Sequence, residues 1–111
     1  MTLIQKQNRF MRMLAQLIVH AGELGYELSI GDGYRDPRVF GKIGERIGYG
    51  ESKSAHKQRL AIDLNLFKSG TFLEETNDHE PLGLSWESMG GTWGGRFHDG
   101  NHYSLEHDGI K

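Results

Sequence analysis

The chain of 111 residues contains no cysteine, only 2 prolines and no long hydrophobic run. Without cysteine, disulfide bonds cannot stabilise the fold, and any metal site must be built from nitrogen and oxygen ligands. Lys6, Arg9 and Arg12 interrupt the N-terminal segment, which has neither a membrane-spanning stretch nor a signal-peptide cleavage pattern. We therefore expect no membrane insertion, and a protein that is cytoplasmic as synthesised unless something else carries it across.

The sequence also lacks an excess of positive charge. It has 13 Lys and Arg against 15 Asp and Glu, a formal net charge of -2, and the basic residues are scattered. Binding to a phosphate backbone needs a concentrated positive field, so we expect no nucleic-acid partner. The length fits one hydrophobic core. Residues 1–111 are therefore predicted to form a single domain, which we expect to be a monomer.

Apolar residues near the N-terminus recur at helical spacing. They are Ile4, Met11, Leu14, Ile18, Ala21 and Leu24. This pattern predicts an amphipathic helix that packs these residues against the core and ends at Gly25. A helix lying on a membrane surface is the alternative, because the segment begins with basic residues.

A strand and a second helix are predicted to follow. Residues 26–31 alternate apolar and polar side chains, as in a half-buried strand. Asp36 and Pro37 are typical of a helix N-terminus, and helical spacing of apolar residues continues through Ile47 to Gly48. We therefore predict a helix from residue 37 to Gly48.

Two further strands are predicted at residues 60–67 and 102–106. Apolar residues alternate along the first, which puts Asp63 on the face opposite its apolar neighbours. Between these strands we predict an acidic, solvated excursion over residues 74–80, including an exposed His79, and then a short helix over residues 82–89. Residues 90–95, rich in glycine, are predicted to be a loop.

Three potential metal ligands stand where these elements begin or end. His56 closes a polar loop, Asp63 lies on the strand that follows, and His102 opens the last strand. Two imidazoles and one carboxylate leave a coordination position free, as in catalytic zinc sites. By spacing alone, the alternatives stay open: a loop histidine, a strand-end cap and a hydrogen-bonding histidine.

Two motifs resemble a known peptidase family. Residues 54–63, SAHKQRLAID, resemble its signature Ser-x-His-x-x-Gly-x-Ala-x-Asp. Residues 99–102, DGNH, resemble its second motif, in which an acidic residue precedes a histidine by three positions. The family comprises the D-alanyl-D-alanine carboxypeptidases and L-alanyl-D-glutamate endopeptidases of bacteria and phages, including small phage endolysins. The resemblance runs from about residue 28 to residue 105.

The resemblance implies a zinc metallopeptidase. In it, His56, Asp63 and His102 would hold Zn²⁺ and Asp99 would be the catalytic acid-base. The implied substrate is the stem peptide of peptidoglycan. Whether the enzyme is a carboxypeptidase or an endopeptidase stays open, and a cell-wall-binding or virion structural module without turnover is the alternative.

Four further positions bear on the substrate groove or depart from the family pattern. Arg35 is expected to face the substrate, as a stabiliser of the oxyanion or a partner for a carboxylate; a surface turn residue is the alternative. Ser54 and Arg59 are expected beside the substrate. Arg59 replaces the signature glycine, and Ser104 replaces a glutamate that family members often carry.

The implied fold is α+β, a small antiparallel sheet with helices packed on one side, as in DD-peptidases. Our order of helix, strand, helix, strand, helix and strand agrees with it. The lack of a secretion signal fits a phage-type endolysin that reaches the cell wall after release; a virion component or a prophage gene product would have the same sequence features.

Overall fold

The computed structural model describes all residues from 1 to 111 and contains three α-helices and five β-strands. In chain order they are α1 (Leu3–Glu23), β1 (Tyr26–Asp32), α2 (Pro37–Phe40), β2 (Ala61–Lys68), β3 (Thr71–Leu73), α3 (Glu80–Ser88), β4 (Thr92–Trp93) and β5 (His102–Ser104). Three 3-10 turns accompany them at Ala55–Gln58, Thr76–His79 and Gly94–Phe97. The predicted α+β class is confirmed.

All strand pairs in the sheet are antiparallel, and β2 is its central strand. One edge of β2 pairs with β1. The opposite edge is shared, because β5 pairs with its first residues and β3 with its last, and β4 lies beyond β5. Asp63 on β2 is therefore opposite Asp32 in β1 and opposite His102 in β5.

Helix α1 has the predicted extent, but it uses another apolar face. Its buried residues are Phe10, Met13, Leu14, Leu17 and Ala21. Four residues of the predicted face are exposed: Ile4, Met11, Ile18 and Leu24. Both sets repeat at helical spacing, and the set that packs is the one with the aromatic ring, since Phe10 lies edge-on to Trp86 with 5.6 Å between ring centres. No helix combines the length and the apolar composition needed to cross a bilayer.

Helix α2 is a single turn, so the predicted helix to Gly48 is wrong. Its start is as expected: the Asp36 carboxylate accepts a hydrogen bond of 2.9 Å from the backbone N–H of Arg38. Gly41 follows with a φ of 85°, which a helix cannot continue through. Residues 41–54 therefore form an irregular segment that is mostly exposed.

Strand β2 and helix α3 form where they were predicted and provide much of the core. Ile62, Leu64 and Leu66 are buried on one face of β2, whereas Asp63 faces the other side. Trp86 of α3 is fully buried, and its indole N–H donates a 2.8 Å hydrogen bond to the carbonyl of Ser104. This contact connects the helix layer to the last strand of the sheet.

The predicted solvated excursion and the predicted glycine-rich loop are both wrong in part. Within the predicted excursion, residues 76–79 form a 3-10 turn and Glu80 begins α3, and within the predicted loop residues 92–93 form β4. Residues 71–73, for which no element was predicted, form β3. His79, predicted to be exposed, is only 2% exposed, and its Nδ1 lies 2.8 Å from the Tyr103 hydroxyl. The acidic neighbours of His79 suggested solvent exposure, but its partner is a core tyrosine distant in sequence.

Candidate metal centre

His56, Asp63 and His102 converge at one point beside the sheet. Asp63 and His102 are register partners on β2 and β5, and His56 lies in the 3-10 turn just before β2. The Asp63 Oδ1 atom is 3.3 Å from His56 Nε2 and 3.4 Å from His102 Nδ1. The potential ligand atoms of all three residues lie within 4.8 Å of one another.

The His56 imidazole is oriented by a backbone carbonyl from earlier in the chain. Its Nδ1 lies 2.7 Å from the carbonyl oxygen of Gly33, and a carbonyl only accepts, so Nδ1 carries the hydrogen. The Ser54 hydroxyl caps the same turn by accepting a 3.2 Å hydrogen bond from the backbone N–H of His56. The Nε2 atom is thereby directed at Asp63, which is how a ligating histidine is usually oriented.

The Asp63 carboxylate suits a cation bound between the two imidazoles. Burial by itself raises its pKa, but the contacts with His102 and His56 outweigh burial and hold the pKa well below its usual range. Its Oδ1 atom is buried and has no hydrogen-bond partner. A buried anionic oxygen of this kind, flanked by two imidazole nitrogens, fits the oxygen and nitrogen donor set of zinc.

The two histidines differ in their support. The His102 Nε2 atom is buried without a hydrogen-bond partner. Ser104, which stands where family members often carry glutamate, does not supply one; its hydroxyl donates a 3.5 Å hydrogen bond to the carbonyl of Thr92. The ring of Phe97 packs beside His102, with 5.9 Å between ring centres. Packing and strand pairing therefore orient His102, whereas a hydrogen bond orients His56.

Asp99 lies at the mouth of the site. Its carboxylate is half exposed, and its Oδ2 atom is 3.9 Å from His102 Nδ1. Partial burial raises the pKa of Asp99 above its ordinary value; the proximity of His102 lowers it and that of Asp63 raises it further. Asp99 is thus close to the converging ligand atoms while it keeps access to solvent.

Arg35 is buried, which excludes the surface-turn alternative. Its Nε is 3.1 Å from a carboxylate oxygen of Asp32, its Nη1 is 3.1 Å from the Ser54 hydroxyl, and its Nη2 is 3.9 Å from Asp63 Oδ2. Gly50 covers the guanidinium so closely that a Cβ there would lie 2.9 Å from Nη1. The guanidinium is therefore fixed next to the candidate ligands.

An open cleft gives access to His56 and His102, which line it, and Asp63 lies between these two imidazoles. The cleft lining also includes Arg35, Ser54 and Asp99, all predicted site residues. Arg59 does not line it: its guanidinium carbon lies 4.0 Å from the centre of the Tyr34 ring. The backbone of Arg59 has φ 59° and ψ 34°, the left-handed conformation, which explains why glycine suits this position of the family signature.

The structure has a second groove that no sequence pattern indicated. It lies between β3 and the approach to β5, and Asp99 lines both this groove and the cleft. The polar residues along it include Asn65, Thr76, His79 and Asn101. They come from separate segments, so no local pattern indicated that they share a surface.

The comparisons with known proteins agree with this geometry. A family model described as D-alanyl-D-alanine carboxypeptidase matches residues 48–105, just over half of the chain. The matched segment includes the three candidate ligands and Asp99. No curated protein is similar enough to the chain to count as a match. Because the family model covers more than half of the chain, the chain belongs to the D-alanyl-D-alanine carboxypeptidase family of zinc peptidases.

Proposed function

We propose that this protein is a zinc-dependent peptidase that hydrolyses a peptide bond in the stem peptide of peptidoglycan. The observation that carries the proposal is the convergence of His56, Asp63 and His102 below an open cleft, with a buried, unpaired oxygen of Asp63 between the two imidazoles. The bond cut would be either L-alanyl-D-glutamate or D-alanyl-D-alanine.

Zinc would be held by Nε2 of His56, Oδ1 of Asp63 and Nδ1 of His102, which face one another. When bound, zinc supplies a Lewis acid that lowers the pKa of a water molecule and polarises a carbonyl group. Three protein ligands are the number found in catalytic zinc sites. The Gly33 carbonyl would keep the hydrogen of His56 on Nδ1 and so keep Nε2 free for the metal.

Asp99 is the residue proposed for proton transfer. Its half-exposed carboxylate would accept a proton from the attacking water and deliver it to the leaving amine. A carboxylate with one side toward the ligands and the other toward the cleft is able to do both. Positioned acid-base catalysis of this kind contributes about 100- to 10,000-fold.

Arg35 and Ser54 are proposed to position the substrate. The Arg35 guanidinium would bind a carboxylate of the stem peptide or the oxyanion that develops at the scissile carbonyl. The Ser54 hydroxyl already accepts two hydrogen bonds, from Arg35 and from the backbone of His56, so its own hydrogen is available to donate. Arg59 does not line the cleft and its guanidinium lies over the Tyr34 ring, so we assign it no contact with substrate.

A phage-type endolysin, acting on the cell wall after release, is the biological role we propose, with carriage in a virion as the second form of the same activity. A monomer suffices for it, because one chain provides all the proposed ligands, Asp99 and Arg35. The alternative from another class is a zinc-binding module that attaches to the cell wall without cleaving it.

Digestion of purified peptidoglycan tests the proposal. The zinc-loaded protein and a chelator-treated sample are incubated with cell walls, and the released products are identified by mass spectrometry. Release of D-alanine indicates a carboxypeptidase, whereas a new amino terminus at D-glutamate indicates an endopeptidase. Wall binding without any released product would overturn the proposal and favour the binding module.

A further inference from the structure

A buried lysine directly follows the first candidate ligand. Lys57 is only 6% exposed, and its ammonium donates to three backbone carbonyls, those of Glu45 at 2.6 Å, Ser52 at 3.1 Å and Lys42 at 3.2 Å. An ammonium has three N–H donors, so all of them are satisfied. No carboxylate forms an ion pair with it, and carbonyl dipoles alone compensate the buried charge.

The three carbonyls belong to residues 41–52, the first part of the irregular segment 41–54 that follows α2. The other hydrogen bonds of this segment are local or lie within it. The N–H groups of Gly41 and Ile47 donate to Pro37 and Phe40 of α2 at 2.9 and 3.1 Å. Those of Gly44 and Glu45 donate to Ser52 and Lys42 at 2.8 Å each, and that of Lys42 donates to the Glu45 carboxylate at 3.1 Å. Residues 42–49 are exposed, so little apolar burial supports them. Lys57 therefore joins the segment to the turn that holds His56, through carbonyls near the segment's beginning and its end.

The same segment forms one wall of the cleft. Gly50 and Glu51 line the cleft, and Gly50 lies against the Arg35 guanidinium. The ring of Tyr49 also faces Arg35, with its centre 5.5 Å from the guanidinium carbon. Asp32 accepts a hydrogen bond from Nε of Arg35 and Ser54 accepts one from Nη1, so the guanidinium is enclosed between these two residues and the segment.

We propose that Lys57 is a positioning residue for substrate. Its ammonium holds residues 41–52 as a fixed wall, so that the width of the cleft and the orientation of Arg35 are set before substrate binds. This inference rests on the proposed peptidase function. Lys57 has no contact with Asp99, and its hydrogen bonds go to the wall and not to the ligand side chains. With Arg35 as the partner of a substrate carboxylate, the loss of Lys57 should therefore weaken substrate binding more than zinc binding or the chemical step.

The first test compares Lys57→Met with Lys42→Met in the zinc-loaded protein. Lys42 has an exposed side chain and keeps its carbonyl in the variant, so it is a matched control. In Lys57→Met, hydrogen exchange at the amides of Gly44 and Ile47 should be faster by about tenfold or more, as expected from lost hydrogen bonds to a charged group. Amides of β2 should not change.

Kinetics on a stem peptide complete this test. In Lys57→Met, KM should rise several-fold, while kcat stays within about a factor of two and zinc content stays at the parent level. Lys42→Met should behave as the parent protein in both exchange and kinetics. Unchanged exchange over residues 41–52 in Lys57→Met would overturn the proposal, and so would zinc loss with a lower kcat, which would assign Lys57 to the support of His56.

Chemical rescue keeps the proposal testable if Lys57→Met folds poorly. The chain has no cysteine, so the side chain of Lys57→Cys is the only thiol. Alkylation of the unfolded variant with 2-bromoethylamine gives a side chain of lysine's length that ends in an ammonium, whereas iodoacetamide gives a neutral one. After refolding with zinc, only the ammonium form should regain slow exchange and low KM. Equal behaviour of the two forms would show that the charge is not the cause.

The two hypotheses fail separately in these experiments. A parent protein that hydrolyses no peptidoglycan peptide contradicts the proposed function, whatever the exchange rates are. In that case, binding of a stem peptide to the zinc-loaded protein, measured by calorimetry, takes the place of KM. Tight binding in the parent and in Lys42→Met, with weaker binding in Lys57→Met, would still support the positioning role; equal binding in all three would reject it.

Discussion

The two sides of the candidate metal centre are built in different ways. On the sheet side, Asp63 and His102 are register partners in β2 and β5, so backbone pairing and the core below determine their positions. On the loop side, His56, Arg35 and Ser54 come from segments without strands, and polar contacts orient them. Strand register therefore determines the geometry of the sheet side, and hydrogen bonds between polar groups determine that of the loop side.

Removal of a candidate ligand, on either side of the site, should have the largest effect. His56→Ala and His102→Ala should each lose the zinc, which we expect at about one ion per chain, because two remaining ligands do not complete a site. Elemental analysis after dialysis measures the loss, and His98→Ala, which replaces an exposed histidine, is the control. Full zinc content in both ligand variants would show that the two sides do not form a common site.

The next largest effect is expected at Asp99, where a substitution should affect catalysis and not metal binding. Asp99→Asn keeps nearly the same shape and leaves the three ligands in place, so zinc content should survive. Because an amide cannot accept a proton from water, kcat should fall by about 100- to 10,000-fold with little change in KM. The measurement is peptide release from cell walls at matched zinc occupancy. Activity near the parent level would remove Asp99 from the mechanism and leave its exposed neighbour His98 as the next candidate; Glu106, expected from the sequence as another, lies beside Lys6 and does not line the cleft.

A smaller effect, on the pH dependence of stability, is expected from His79, which is buried against Tyr103 of β5. Burial lowers the pKa of His79 below its ordinary value, although Asp78 partly offsets this. Below a pH of about 6.5, the unfolded chain therefore binds a proton that the folded protein resists, and the free energy of unfolding decreases as pH falls from about 7 to 5. Above that range His79 is neutral in both states and contributes no pH dependence.

The variant His79→Gln should reduce this pH dependence, since glutamine does not titrate. Denaturant unfolding at pH 7.5 and 5.5, with chelator present throughout, measures the free energy of unfolding without a contribution from metal release. His98→Gln, at an exposed position, should keep the parent's dependence. If His79→Gln had the same slope as the parent, the buried imidazole would not be the group that responds to acid.

The smallest effect is expected at Arg59, which directly follows the 3-10 turn that contains His56. Arg59→Gly relieves a left-handed backbone that costs a side chain about 1–2 kcal/mol. It also loses the contact with Tyr34, worth about 0.5–1 kcal/mol, and it gains entropy in the unfolded chain. Unfolding free energy should therefore change by no more than about 1 kcal/mol, with zinc content unchanged. A variant that hydrolyses peptidoglycan when the parent does not would identify the parent as a disabled enzyme.

The sequence predicted the elements that have their own periodicity. Strand β2 and the position of Asp63 on it followed from alternation, and the extent of α1 followed from helical spacing. The apolar face of α1 did not, because two sets of apolar residues share its spacing and only the tertiary packing of Phe10 against Trp86 selects one. Strands of two or three residues, such as β3 and β4, are too short to have a pattern.

The candidate site was predictable where side chains provide the chemistry. The resemblance of the two motifs to the peptidase family indicated His56, Asp63, His102 and Asp99, which the structure brings together. The role of Lys57 was not predictable, since its partners are backbone carbonyls and any residue type supplies those. The burial of His79 was hidden for a related reason, because its partner Tyr103 lies 24 positions further along the chain.

The shared edge of β2 has a consequence for the order of folding. The β2–β3 hairpin needs only a two-residue turn, so it closes over a short distance and should form early. Strand β5 must return from much further along the chain to occupy the rest of that edge, a slower step because its loop-closure entropy is larger. His102 arrives with β5. The ability to bind zinc should therefore be acquired at the end of folding, and a nascent chain would remain metal-free until its last strand has docked.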